Sequence, residues 1–138
     1  MFRNFSRIAV LSLACLVMSD GISLAAKGAG AGSAARQKTI VRLSRTAAAP
    51  TGASGKAVYE TRSVGREKFG TEAQGLTPLN GMAASVYVNG VLVGSRQIAL
   101  GRFNLELESE RGQSVPVVSS GTRVEIQVGG AVILAGEF

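Results

Sequence analysis

From residue 38 onward, apolar and polar residues alternate along the chain with a period of two, the pattern of strands that bury one face. Over residues 38–46, Val41 and Leu43 share one face, with Arg42 and Ser44 on the other. Residues 56–62 turn Ala57 and Tyr59 inward against Lys56 and Glu60. Residues 66–76 set Phe69, Thr71 and Ala73 opposite Lys68, Glu72 and Gln74. The cleanest run is 101–109, where Phe103, Leu105 and Leu107 oppose Arg102, Asn104, Glu106 and Glu108.

Two turns organise the remainder. Asn89-Gly90 sits between two valine-rich runs, and this pair tolerates the positive φ that a type I′ hairpin requires at both central positions. A two-residue turn there pairs Val88 with Val91 and Val86 with Val93 on one face, and sends Tyr87 and Leu92 to the other. Gly129-Gly130 marks a second hairpin between residues 122–128 and 131–138, with Val124, Ile126 and Val128 facing Val132, Leu134 and Phe138. In this register Tyr87, Leu92 and Ile133 form a candidate apolar patch for a partner. A bulge near Gly94, or cover on both faces, would remove it. Val115-Pro116-Val117 is extended but is not a central strand, because proline lacks the ladder donor. Eight strands and no helix predict an all-β sandwich or small barrel, here taken as a single antiparallel β-sandwich of immunoglobulin-like type over residues 38–138.

The amino-terminal part follows a different rule. Arg3 and Arg7 precede an apolar run over residues 8–18, which Ser19-Asp20-Gly21 interrupts, and Ser23 and Ala25 supply small residues for a peptidase. Residues 1–25 therefore read as an export signal cut after Ala25, too short to span a bilayer. Cys15 falls inside the apolar run as one more apolar residue. Residues 26–37 form a Gly/Ala-rich linker whose small side chains cannot offset their ordering entropy. The expected product is periplasmic or extracellular and is not transmembrane after cleavage.

Charge is segregated. The formal balance is +6, yet between residues 26 and 55 the charged residues are Lys27, Arg36, Lys38, Arg42 and Arg45, with no carboxylate. Arg36, Lys38, Arg42 and Arg45 are thus candidate contacts for a polyanion such as nucleic acid, anionic lipid or acidic glycan. No aromatic is interleaved to stack on bases, so specific nucleic-acid recognition is not expected.

The chemical inventory excludes more than it offers. The chain has no histidine, and its only cysteine and only aspartate, Cys15 and Asp20, lie in the signal. A catalytic triad lacks its base, and zinc or calcium sites lack their usual ligands. Neither a catalytic residue, a metal nor a cofactor is expected. Glu106, Glu108 and Glu110 recur along one wet face, where pairing with Arg102, Lys68 or Arg123 accounts for them better than a glycosidase pair across a cleft.

Several stretches carry a resemblance: residues 43–59 (LSRTAAAPTGASGKAVY), 86–94 (VYVNGVLVG), 101–107 (GRFNLEL), 112–121 (GQSVPVVSSG) and the ending LAGEF. Together they look like small exported bacterial β domains. The opening strand followed by Ala-Pro and Ala-Ser-Gly-Lys-Ala is similar to the start of chordin-type (CHRD) domains, which implies a β-sandwich module. The His-x-His segment of those domains has no counterpart here, so the resemblance transfers no metal or enzymatic role. The expectation is a non-catalytic exported module with a binding or structural role and a protein or envelope partner. The alternatives are a small outer-membrane β-barrel, suggested by the terminal Phe138 with Leu134 and Val132, and a polyanion binder acting through the basic segment.

Overall fold

A computed structural model describes residues 35–63 and 65–138. The expected signal, and the linker up to residue 34, lie outside them. The eight strands are β1 (Gln37–Arg45), β2 (Ser54–Ser63), β3 (Arg66–Gln74), β4 (Ala83–Val88), β5 (Val91–Gln97), β6 (Phe103–Glu108), β7 (Arg123–Val128) and β8 (Ala131–Glu137). Every neighbouring pair is antiparallel, in the order β5-β4-β7-β8-β1-β2-β3-β6. Two short 3-10 turns, Thr77–Leu79 and Ser109–Arg111, connect strands. The segment containing Pro116 joins no strand, as the missing donor requires.

The strands form one continuous sheet because β1 pairs on both sides. Gln37 to Leu43 pair with β2, and Ser44 and Arg45 pair with β8. Leucines and glycines interlock where the strand changes partner. Leu134 reaches the space above Gly55, where an added Cβ would lie 2.9 Å from its Cδ1 and 2.8 Å from the Glu72 carbonyl. Leu43 does the same above Gly136, where a Cβ would stand 3.0 Å from its Cδ2 and 2.7 Å from the Arg42 carbonyl. Both leucines are buried.

From this seam the sheet curls until its edge strands approach, which makes it nearly barrel-like. β5 and β6 are consecutive in sequence and are joined through an Ala99–Arg102 bridge. A Cβ on Gly94 would lie 2.8 Å from Leu105 Cδ2, so glycine admits the leucine of the opposite edge. The inward residues read from the alternation form the core: Leu43, Ala57, Phe69, Ala73, Val86, Val88, Phe103, Leu105, Leu107, Val124, Ile126, Val128 and Leu134. Tyr59 is half-buried and packs against it.

The turns match expectation, and the register of the first hairpin follows the alternative with a bulge near Gly94. Asn89 and Gly90 take φ of 47° and 79°, and Gly129 and Gly130 take 59° and 83°. Asn89 also splices β7 onto the first hairpin, since its N–H donates to the Arg123 carbonyl and its Oδ1 accepts the Arg123 N–H, each at 2.9 Å. A bulge then places Gly94, in place of Val93, opposite Val86. Val91 and Leu92 are left exposed at 65% and 54%. A second bulge between Ile126 and Gln127 moves Ile133 into the core, 2% exposed. The apolar patch of Tyr87, Leu92 and Ile133 is therefore not formed: an extra residue in a strand reverses the faces beyond it. Tyr87 is half-buried opposite Leu92.

Two predictions follow from the packing. Gly55→Ala or Gly136→Ala should each cost about 1–3 kcal/mol by overpacking against backbone. Gly70→Ala, whose Cβ would be 3.7 Å from its nearest neighbour, should be near neutral. Urea unfolding of the three variants reads the difference. Thr71 is fully buried, and its Oγ1 has no hydrogen-bond partner among the described residues. Thr71→Val should therefore raise the thermal midpoint, because the desolvated hydroxyl is removed at constant shape.

Candidate functional site

The polar positions of β1, β2, β3 and β6 line up in rows across the outer face of the sheet. Lys38, Glu60, Lys68 and Glu108 stand opposite one another across the four strands. A parallel row runs Arg42, Lys56, Glu72 and Asn104, and between the two lie Ile40, Val58, Gly70 and Glu106.

Apart from Lys38, which has no carboxylate partner among the described residues, the first row is neutralised by ion pairs. Glu60 is only 4% exposed because Arg36 and Arg62 close over it, each placing Nε 2.7 Å from Oε1. Hydrogen bonds from Arg36 and then Arg62 hold its carboxyl down at about 2, against the opposing effect of burial. Lys68 Nζ lies 2.8 Å from Glu106 and 3.2 Å from Glu108, while Arg111 Nε is 2.9 Å from Glu108 and Arg66 Nε 3.1 Å from Glu110. The Lys68 hydrogen bond holds the Glu106 carboxyl below its usual range and in turn raises the lysine. A general acid needs the opposite shift. Of the three partners expected for this carboxylate row only Lys68 is engaged. Arg123 pairs instead with Glu125 at 2.6 Å and Glu137 at 3.9 Å, and Arg102 points elsewhere along the face.

The second row opens into a groove of about 660 Å³ lined by Ile40, Arg42, Lys56, Glu72, Arg102 and Asn104. Lys56 Nζ is 3.0 Å from Glu72, and Arg42 and Arg102 have no carboxylate partner among the described residues. Arg102 is delivered by a tight turn. Ala99 and Arg102 exchange backbone hydrogen bonds at 3.0 and 2.9 Å around Leu100 and Gly101, whose φ values are 53° and 70°. The Gly101 N–H donates to Asn80 Oδ1 at 2.7 Å, and its carbonyl accepts the Leu76 N–H at 2.9 Å. Leu100 is 91% exposed in a conformation that leucine adopts at a cost of about 1–2 kcal/mol.

The four basic residues singled out from the sequence do not form one site. Arg36 is committed to Glu60, Lys38 lies on the same face at the far row, and Arg45 lies beyond the point where β1 crosses to β8. Arg42 alone reaches the groove, and its companions there, Lys56 and Arg102, come from other strands. Their outward positions were readable from the alternation, but their proximity required the order β1-β2-β3-β6. A smaller cavity of about 320 Å³ lies at the other end of the sheet, lined by Thr39, Tyr59, Thr61, Ser119 and Phe138. There the Tyr59 hydroxyl donates to Glu67 Oε1 at 3.0 Å, and burial followed by Glu67 raises its pKa.

Comparison with known protein families, with curated proteins and with solved structures finds no match.

The Glu60 pairs give a pH prediction. The carboxyl titrates at about 2 in the folded chain against 4.5 for the free group. The stabilisation it provides is complete above pH 4.5 and is lost as pH falls through about 2. Glu60→Gln should melt below the wild type at pH 7, and the gap between the two should close toward pH 2, as followed by circular dichroism.

Proposed function

We propose that the chain is a non-catalytic exported module of β-sandwich, immunoglobulin-like type that works by holding a ligand or partner in the cell envelope or outside the cell. The observation that carries this reading is the groove on the outer face of β1, β2, β3 and β6, where Arg42 and Arg102 stand without a carboxylate while the neighbouring charges cancel. A surface that leaves cations unmatched at one concavity favours an anionic ligand there. The inventory supports holding over transforming, since the chain lacks histidine entirely and Glu60, Glu106 and Glu125 are held as carboxylates by cationic neighbours. The sandwich description is supported by β1, which passes from a layer with β2, β3 and β6 to one with β8, β7, β4 and β5.

The outer-membrane barrel is the weaker alternative. Lipid-facing strands need an apolar exterior, and the outward positions of β2 and β3 carry Lys56, Glu60, Lys68 and Glu72 above an apolar interior. The polyanion reading survives in altered form, with the site shifted from the basic amino-terminal segment to the groove.

Fractionation and a binding assay test the proposal. The chain should be recovered from periplasm or medium with Ala26 as its first residue, and should bind a soluble envelope fraction whose components are recovered unchanged. Turnover of any component that is lost in Glu106→Gln or Glu108→Gln would overturn the non-catalytic reading.

A further inference from the structure

Resting on the reading of the chain as a binding module, we propose that the outer-face groove is a site for a linear acidic polysaccharide, with Arg42 and Arg102 as the two carboxylate clamps. Arg42 stands on β1 and Arg102 at the entry to β6. Three strand spacings separate β1 from β6, about 14 Å. The clamps thus face successive acidic groups on an extended ligand rather than one compact anion.

The composition of the groove selects among polyanions. The floor between the clamps is made by β2 and β3, each paired on both sides, so an extended peptide laid there would find no ladder to join. Asn104, Gln74 and Ser54 offer amide and hydroxyl groups suited to a ligand that carries its own hydroxyls. The one aromatic in the lining, Phe103, is 2% exposed, so bases have no platform on which to stack. A polyhydroxylated chain with regularly spaced carboxylates satisfies all three conditions.

Outside the groove the charges of this face are matched except at Lys38, which stands alone at the far row with no carboxylate partner among the described residues. Lys68, Arg62, Arg66 and Arg111 each contact a glutamate, and within the groove Lys56 alone is paired. Arg102 is also held in place, because its preceding turn is fixed by Asn80 and Leu76 and keeps Leu100 at positive φ. Backbone strain retained beside an unpaired cation is typical of pre-organised ligand contacts.

The test titrates the full exported chain with oligogalacturonate, heparin oligosaccharide, neutral dextran and single-stranded DNA by calorimetry at low salt. Oligogalacturonate should bind, dextran should not, and added salt should weaken the affinity. Arg42→Gln and Arg102→Gln should each lower the affinity by about tenfold with an unchanged melting transition. Lys38→Gln and Arg45→Gln remove the same charge outside the groove and should leave it within about twofold. Tighter binding of heparin than of oligogalacturonate overturns carboxylate as the recognised group. Equal loss in all four variants, or equal affinity for DNA, overturns the groove as a glycan site. Absence of oligogalacturonate binding without turnover overturns the glycan proposal alone, whereas release of new reducing ends overturns the non-catalytic reading beneath it.

Discussion

The structure depends on a single strand being shared. β1 gives Gln37 to Leu43 to β2 and its last two residues to β8, and without this exchange the remaining strands would fall into two separate sheets. The exchange is possible because Leu43 lies over Gly136 of the adjoining β8 and Leu134 reaches across to Gly55 of β2, so that the backbones come together with no side chain at either glycine in the way. Close packing tolerates little deviation at such a point, since an added methyl has no free volume to enter. The chain has no disulfide to share the load, because its only cysteine is at position 15. Cohesion therefore comes from the buried apolar core and the ladder.

The same seam organises the outer face. Because β1 runs with β2 for seven residue pairs before leaving, its outward residues fall into register with those of β2, β3 and β6. Rows of charge follow from that register. Apart from Lys38, one row is neutralised by lysine, arginine and glutamate in turn, and the other ends in a concavity with unmatched guanidinium groups. The functional reading is thus a consequence of strand pairing and would not exist for the same residues in another order.

Most of the architecture was legible in local pattern. Alternation located all eight strands, and Asn89-Gly90 and Gly129-Gly130 marked the hairpin tips, because turn chemistry and one-sided burial are properties of neighbouring residues. Of the two bulges, the one beside Gly94 was open to the sequence, because a glycine inside a strand pattern admits one. Nothing around Ile133 distinguishes an inserted residue from a regular one, and that single insertion was enough to move Ile133 from an imagined surface patch into the core. The groove was half legible: Arg42 stood out by charge, whereas Lys56 and Arg102 acquired meaning only when strands distant in sequence came together. The pairing of Ser44 and Arg45 with β8 was likewise invisible, being a contact between residues some ninety positions apart.

The approach of β5 to β6 has a consequence for self-association. An open sheet offers two rows of unpaired N–H and C=O groups on which another chain can build, and many proteins blunt them with proline or with charge turned inward. Here the two outermost strands are consecutive in the chain, are tied at Ala99 and Arg102, and are drawn together by Leu105 over Gly94. Each shields the other, so fibril-like growth at this margin would first have to prise the pair apart.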